Sequence, residues 1–436
     1  MLLLLLAPLL DGLNGPAIAE ERTSGDGGGS SVGLAQLVAE VLAANPEIRA
    51  DEAELEIYRQ QVRQAGVLDD PTLTFRLQSL LLRAPLSFDR NGTSAKAIGV
   101  SQKLPFFGKR ALARRAAEQQ AEAAGWQVAE RRLELAGMVR ELWPQLLLVD
   151  QSILIVEENI AALDDLARLG ESRYGAGKGG ADQVIGAQLE RSRMEELRIS
   201  LKQQRRSLTA GLNALRLQPA TTPIIPESKL ELQIPELDPA ALEELAFSHR
   251  PRLQALKVRR EVERTRQQQA QREFFPDFTL SVEYLQKEDT PADPAGYDMY
   301  NAGISFNLPL QRQRRHAMEA EAAAARRRAA AQEEALRSRI RLGIADGLAR
   351  LKSARRRAEL YAQGLIPQAE HALAAALATY RAGRGQLRTV LDNQTVLFNF
   401  QRRHLEAVAE HQVELARLGT LIAYDPTATL KTDGYQ

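Results

Sequence analysis

Few side chains in this chain have the type and spacing that chemistry requires. The five histidines stand at positions 249, 316, 371, 404 and 411, and only His404 and His411 share a helix face, two turns apart. A lone pair seven residues apart is poor chelation geometry, so no metal site is expected. The five methionines, Met1, Met138, Met194, Met299 and Met318, form no cluster that could relay a soft metal. Cysteine is absent, which excludes disulfides, thiolate ligands and a thiol for a lipid anchor. No nucleophile motif, phosphate loop or His-Glu metal helix occurs, so neither a catalytic constellation nor a cofactor is implied, and the chain does not read as an enzyme. What remains is two glycine-rich turns with tyrosines beside them and a carboxylate shortly after the second. The first runs Tyr174, Gly175, Ala176, Gly177, Lys178, Gly179; the second runs Tyr380, Arg381, Ala382, Gly383, Arg384, Gly385, and Thr389 and Asp392 follow it.

These turns are copies of one another within a larger duplication. Gly99-Val100-Ser101-Gln102-Lys103-Leu104-Pro105-Phe106 returns 204 residues later as Gly303-Ile304-Ser305-Phe306-Asn307-Leu308-Pro309-Leu310. Asn45-Pro46 and Asp70-Pro71 are answered by Arg250-Pro251 and Phe275-Pro276 at an offset of 205, and Tyr174 and Gln188 by Tyr380 and Gln394 at 206. Such self-similarity means one fold made of two similar halves.

Each half reads as two strands followed by a long helical hairpin. In the first, Leu73, Phe75 and Leu77 alternate with Thr72, Thr74, Arg76 and Gln78, and Ile98 and Val100 with Gly99 and Ser101. In the second, Phe278, Leu280, Val282 and Tyr284 alternate with Thr279, Ser281 and Glu283, and Tyr300, Ala302, Ile304 and Phe306 with Asn301, Gly303 and Ser305. Every strand therefore has one greasy and one polar face. From Gly108 to about Arg173 apolar residues recur at Leu135, Val139, Leu142, Leu146, Val149, Ile153, Val156, Ile160 and Leu163, the 4-3 spacing of a coiled-coil seam. A helix of that extent is on the order of 100 Å long, and Pro144 is expected to kink it or cost it a hydrogen bond. The returning helix, about Gln183 to Arg216, is roughly half as long, so the helix Pro46 to Ala65 is expected to stack end to end on it.

The expected organisation is a secretory signal at 1–19, with the apolar run Leu2 to Leu6 and small residues at Ala17-Ile18-Ala19. A mobile Gly/Ser arm at 20–33 comes next. A first repeat at 34–218 has strands at about 72–82 and 96–104 and a helix hairpin at 108–218. A proline-rich waist at 219–238 contains Pro223, Pro226 and Pro235. The second repeat at 239–423 has strands at about 277–286 and 299–308 and a hairpin at 311–422, its outgoing helix running from about Gln311 to Thr379. A polar tail at 424–436 ends the chain. No run of 18 apolar residues offers a membrane-spanning helix, but the alternating strands are compatible with a membrane-spanning barrel.

The duplicated plan, the Asn45-Pro46-Glu47 helix start, the Leu-Pro strand ends and Tyr380-x-x-Gly383 followed by Val390-Leu391-Asp392-x-Gln394 resemble the outer membrane efflux protein family over nearly the full length. These are the TolC-like exit ducts of Gram-negative tripartite pumps. The run Leu104-Pro105-Phe106-Phe107-Gly108-Lys109 looks most like the heavy-metal branch, the CusC-like and CzcC-like ducts. The resemblance implies a mainly α chain that gives four strands to a trimeric 12-stranded transmembrane β-barrel above a periplasmic tube of antiparallel coiled-coil helices. Membrane physics agrees, because four strands cannot close and an open sheet edge is not tolerated in lipid.

In that frame the chain is a homotrimer in the outer membrane of a Gram-negative bacterium, with a large periplasmic part and two protein partners, a periplasmic adaptor and an inner-membrane RND-type transporter. Leu73, Phe75, Leu77, Phe278, Leu280, Val282 and Tyr284 would meet outer-membrane lipid. Asp392 aligns with one acid of the family's periplasmic constriction, while Thr389 stands where the family has another. Three Asp392 side chains would form a cation-attracting collar, against the plainer reading of a carboxylate at a helix start. Tyr174 and Tyr380 would hold neighbouring hairpins together or simply pack. Gly177, Lys178, Gly179, Gly383, Arg384 and Gly385 would form the tips that dock the adaptor, or serve only a tight turn. The arginine runs at 312–315, 326–328 and 355–357 are interleaved with glutamate and lack aromatic platforms, so no nucleic-acid partner is implied; the first run also suits anionic lipid headgroups. The expected function is passive conduction of an exported substrate, heavy-metal cations by the branch resemblance. The alternatives are a drug-efflux or type I protein-secretion duct of the same fold, and a non-transporting periplasmic coiled-coil scaffold.

Overall fold

A computed structural model describes residues 31–83, 87–177, 180–289 and 297–424. The signal segment 1–19, most of the arm at 20–33, the tail beyond Tyr424, and Lys178 and Gly179 of the first tip lie outside the described residues. Among those described, no helix is long and apolar enough to cross a membrane.

Helix α1 (Leu34–Ala44) leads into α2 (Pro46–Gln64). The hairpin β1 (Thr72–Gln78) and β2 (Ala95–Leu104) follows. The 67-residue α3 (Lys109–Gly175) comes next, then α4 (Ala181–Leu215). The second half contains α5 (Pro239–His249), α6 (Pro251–Arg272), β3 (Phe278–Gln286) and β4 (Met299–Phe306). It ends with α7 (Arg312–Leu360), α8 (Ile366–Arg381) and α9 (Leu387–Ile422).

The strands form one antiparallel sheet in the order β1-β2-β3-β4, with β1 and β4 as open edges. Below it the helices stand in four columns around α3. Helices α2 and α4 line one flank of α3, α6 and α9 line the other, and α7 packs against α6 and α9. Of the seam residues, Leu135, Val139, Leu146, Val149, Val156, Ile160 and Leu163 are buried, as the 4-3 spacing demands, while Leu142 and Ile153 are half-buried.

The end-to-end stacking of α2 on α4 has a specific cause. Asn45 Nδ2 donates to Leu215 O at the end of α4 (3.0 Å), while its Oδ1 accepts from Glu47 N (2.9 Å) and caps α2. The duplication keeps this device with a different side chain: 205 residues later, Arg250 donates to Thr420 O near the end of α9, and also to Glu130 Oε1 on α3 (2.6 Å).

Two expectations need correction, and that for Pro144 narrows to one of its two alternatives. β1 stops at Gln78 rather than near 82, because Ser79 turns into the left-handed region (φ 57°) and its carbonyl accepts from Ser94 Oγ (2.9 Å), which closes the loop. α3 continues as a helix through the buried Pro144, so the cost there is a missing N–H donor. The second outgoing helix is not uniform: a π turn at Tyr361–Leu365 separates α7 from α8. Pro367 stands at the second position of α8 and has no N–H to offer four residues back, and a widened turn relieves the clash with that carbonyl.

Candidate functional site: the sheet faces and the hairpin tips

Strand register decides which side chains share a face. Leu73 pairs with Val100, which pairs with Val282, which pairs with Ala302; Phe75, Ile98, Tyr284 and Tyr300 form the next row. Leu73, Phe75, Leu77, Phe278, Leu280, Val282 and Tyr284 therefore lie on one face with Ile98, Val100, Ile304 and Phe306. Most of them are exposed in the single chain, Phe75 by 73%. Thr72, Thr74, Arg76, Ser101, Lys103, Thr279, Ser281, Glu283, Asn301 and Ser305 lie on the other. An exposed apolar surface of this breadth is unfavourable in water and calls for an apolar neighbour.

The sheet is clasped to the helices at its base. Asp277, just before β3, accepts from Lys109 Nζ and Phe106 N, both at 2.9 Å, and Lys109 also meets Glu273 at 3.3 Å. Asp277 N donates to Asn307 Oδ1 (2.6 Å), tying in the segment after β4. Phe106 stacks on Phe275 with centroids 4.6 Å apart. Burial pushes the Asp277 carboxyl up, but the Lys109 and Phe106 hydrogen bonds outweigh it and hold the group below the usual carboxylate range.

At the other end the two hairpins of one chain meet. Leu163, Leu166 and Ala167 of α3 and Ala187 of α4 pack with Tyr380, Leu387, Val390 and Leu391. The two tyrosines are not equivalent: Tyr380 is 2% exposed and Tyr174 is 54% exposed. Arg173 donates to Tyr380 O and lies over its ring, 4.6 Å from the centroid. Tyr380 thus packs within its own chain, where burial raises its hydroxyl pKa against the opposing charge of Arg173. Gly177 and Gly383 have φ of 71° and 77°, left-handed values that explain glycine there. The turn after Tyr380 closes with Gly383 N on Tyr380 O (3.0 Å) and Arg384 N on Thr379 O (3.1 Å). Gly385 lies close beneath it, since a Cβ there would come within 3.1 Å of Tyr380 N.

Asp392 and Thr389 are exposed on α9, with Asp392 in the second turn rather than at the helix start. Its one charged neighbour among the described residues is Arg388, 4.0 Å away and itself exposed. Two residues further along, Gln394 Nε2 donates to the buried Asn159 Oδ1 (2.7 Å), locking α9 to α3. Sequence reasoning missed both arginines. The four-residue spacing of Arg388 and Asp392 was a readable signal, whereas nothing local marked Arg173 as the partner of a residue in the other hairpin.

The histidines do not converge. His404 Nδ1 lies 3.1 Å from Ala358 O, His249 bonds within α5, and His316 packs on Phe274. His411 is fully buried and neither ring nitrogen has a partner. Among the described residues no group of three or more His, Asp or Glu is placed to hold an ion.

Comparison with known proteins places this geometry. The family model described as outer membrane efflux protein matches residues 37–216 and 242–423, one segment per repeat. The cobalt-zinc-cadmium resistance protein CzcC of Cupriavidus metallidurans is 26% identical over 388 residues, covering 84% of each chain. Among solved structures, the outer membrane protein VceC of Vibrio cholerae superposes with a TM-score of 0.75 at 21% identity, over 90% of this chain and 96% of that one. CusC, a transmembrane channel, gives 0.75 at 17% identity over 89% and 91%. With both repeats matched by the family model, the chain belongs to the outer membrane efflux protein family.

Proposed function

We propose that three copies of this chain form the outer-membrane exit duct of a tripartite efflux pump, passing substrate from an inner-membrane RND-type transporter and a periplasmic adaptor to the outside. The observation that carries this reading is the sheet: four strands with one largely apolar face, broken by Lys96, Gln102 and Gln286, one largely polar face and two open edges, standing on helices about 100 Å long. An open edge in lipid leaves backbone groups unsatisfied, and closure by other copies satisfies them. The apolar face, Leu73, Phe75, Leu77, Phe278, Leu280, Val282 and Tyr284 included, then meets lipid and the polar face lines the pore. A periplasmic scaffold would have no use for such a face.

The hairpin tips serve as the periplasmic end. Gly177, Lys178, Gly179, Gly383, Arg384 and Gly385 are the docking tips for the adaptor, and Asp392 with Thr389 lines the constriction. Heavy-metal cations are the proposed cargo, supported by the likeness to CzcC, whose name records resistance to cobalt, zinc and cadmium. The test is a deletion strain challenged with cobalt, zinc and cadmium salts beside lipophilic drugs. Sensitivity to the metals alone, rescued by the intact gene, is expected. Sensitivity to drugs alone would transfer the chain to a drug-efflux pump.

A further inference from the structure

The polar face of the sheet carries three charged side chains within the strands, and two of them are paired across a third strand. Arg76 on β1 and Glu283 on β3 approach to 3.4 Å, with β2 between them. In register Arg76 lies opposite Ala97 and Glu283 opposite Gly99, so the pair runs diagonally over the two smallest side chains available. The fit at Gly99 is close, since a Cβ there would come within 3.2 Å of Val282 O and 3.3 Å of Glu283 Cβ and Cγ. The Glu283 side chain is only 18% exposed while Arg76 is 58% exposed, so the guanidinium lies uppermost. Lys103, the third charge, pairs with Thr279, four positions down β3. At roughly 3.3 Å per residue that is about 13 Å away, beyond the screening length at physiological salt, so Lys103 cannot replace Arg76.

We propose that Arg76 is a specificity-determining residue of the conducting path, which by pairing with Glu283 across Gly99 prevents a ring of carboxylates from retaining an exported cation inside the barrel. The proposal rests on the exit-duct reading, in which the threefold axis repeats the pair three times around the lumen. A duct must bind its cargo weakly enough to release it. Each unpaired glutamate on the lumen wall would attract a divalent cation and slow its release, whereas a covalently tethered guanidinium at 3.4 Å competes with the cation at each of the three sites.

The test is the reversal potential of the trimer in planar bilayers under a KCl gradient, with Asp392→Asn as the background so that the tip does not dominate. Arg76→Gln should raise the potassium-over-chloride permeability ratio about fivefold, the effect of a unit charge a few ångströms from the ion path in water, and should introduce block by extracellular zinc. Glu283→Gln should shift the ratio the other way, and the double variant should return it close to that of the background. The chain has no cysteine, so Thr74→Cys supplies an internal control: on the lumen face it reacts with a water-soluble maleimide. If Thr74→Cys reacts but Arg76→Gln leaves both ratio and zinc block unchanged, the proposal is overturned and the duct stands. If Thr74→Cys does not react, the assignment of the lumen face itself falls.

Discussion

His411 ties stability to pH in a way that can be calculated. It lies on α9, fully buried with both ring nitrogens unpartnered. Burial, reinforced by the Arg355 guanidinium and opposed by Glu359, lowers the imidazole from 6.5 to about 4. Above pH 6.5 it is neutral in both folded and unfolded chains, so it contributes no pH dependence there. Below that value the unfolded chain takes up a proton that the folded chain refuses until about pH 4, and stability falls by about 1.4 kcal/mol per pH unit across the window. By pH 4.5 the loss is about 2.5 kcal/mol per chain. His411→Leu removes the group and leaves no unpaired nitrogen behind, so it should be at least as stable as the wild type at pH 7.5. The assay is equilibrium unfolding in denaturant from pH 7.5 to 4.5 for both proteins. Acid will weaken each through its carboxylates, and the difference between them isolates His411. That difference should grow in favour of His411→Leu by about 2.5 kcal/mol per chain. Parallel pH profiles would show that His411 is hydrated or paired in solution and would refute the argument.

The other predictions concern the sheet, the clasp and the tip. Leu280→Arg or Phe75→Arg should block assembly in membranes, since a charge at mid-bilayer on the lipid face costs roughly 2 to 4 kcal/mol per site; Thr279→Arg should be milder in a heat-modifiability assay, and equal behaviour would void the assignment of faces. Lys109→Met should lower stability by roughly 3 kcal/mol by stranding Asp277, with much of the deficit recovered below pH 4 as Asp277 protonates, because its lowered pKa confers stability that acid removes. Asp392→Asn should weaken trivalent-cation block of the reconstituted pore and Arg388→Gln should strengthen it, because Arg388 partly neutralises the same carboxylate; unchanged block in both would return Asp392 to a solvated surface acid. Arg173→Ala should loosen the tip and raise open probability in single-channel records, and an unaltered probability would make its contact with Tyr380 structural only.

What the sequence disclosed follows from what is periodic. Alternation at Leu73, Phe75 and Leu77 and at Phe278 to Tyr284 shows the sheet because side chains repeat every two residues along a strand, and register then aligns all four strands. The 4-3 spacing on α3 likewise names its buried seam. Features made by contacts distant in the chain stayed hidden. Nothing near Tyr380 signals that Arg173, in the other hairpin, covers it while Tyr174 faces solvent. The repeat itself misled there, since equal positions in the two halves occupy unequal surroundings. The same holds for Asn45 and Arg250, which do one job with different chemistry. The π turn at Tyr361–Leu365 was foreshadowed only by Pro367, and the end of β1 by nothing in the sequence, since it rests on the left-handed backbone of Ser79.

Closure of one barrel by three chains can be tested at the two open edges. Thr74 on β1 and Asn301 on β4 lie in the same row of the sheet, reached through Gly99 and Glu283. In a chain without cysteine, Thr74→Cys/Asn301→Cys introduces one thiol on each edge strand, and a short bismaleimide applied to intact outer membranes can join only edges that meet. If β4 of each chain pairs with β1 of the next, cross-linked products run as monomer, dimer and trimer and stop there, and each single-cysteine control stays monomeric. A ladder that ends at dimer or continues past trimer would contradict closure by three chains.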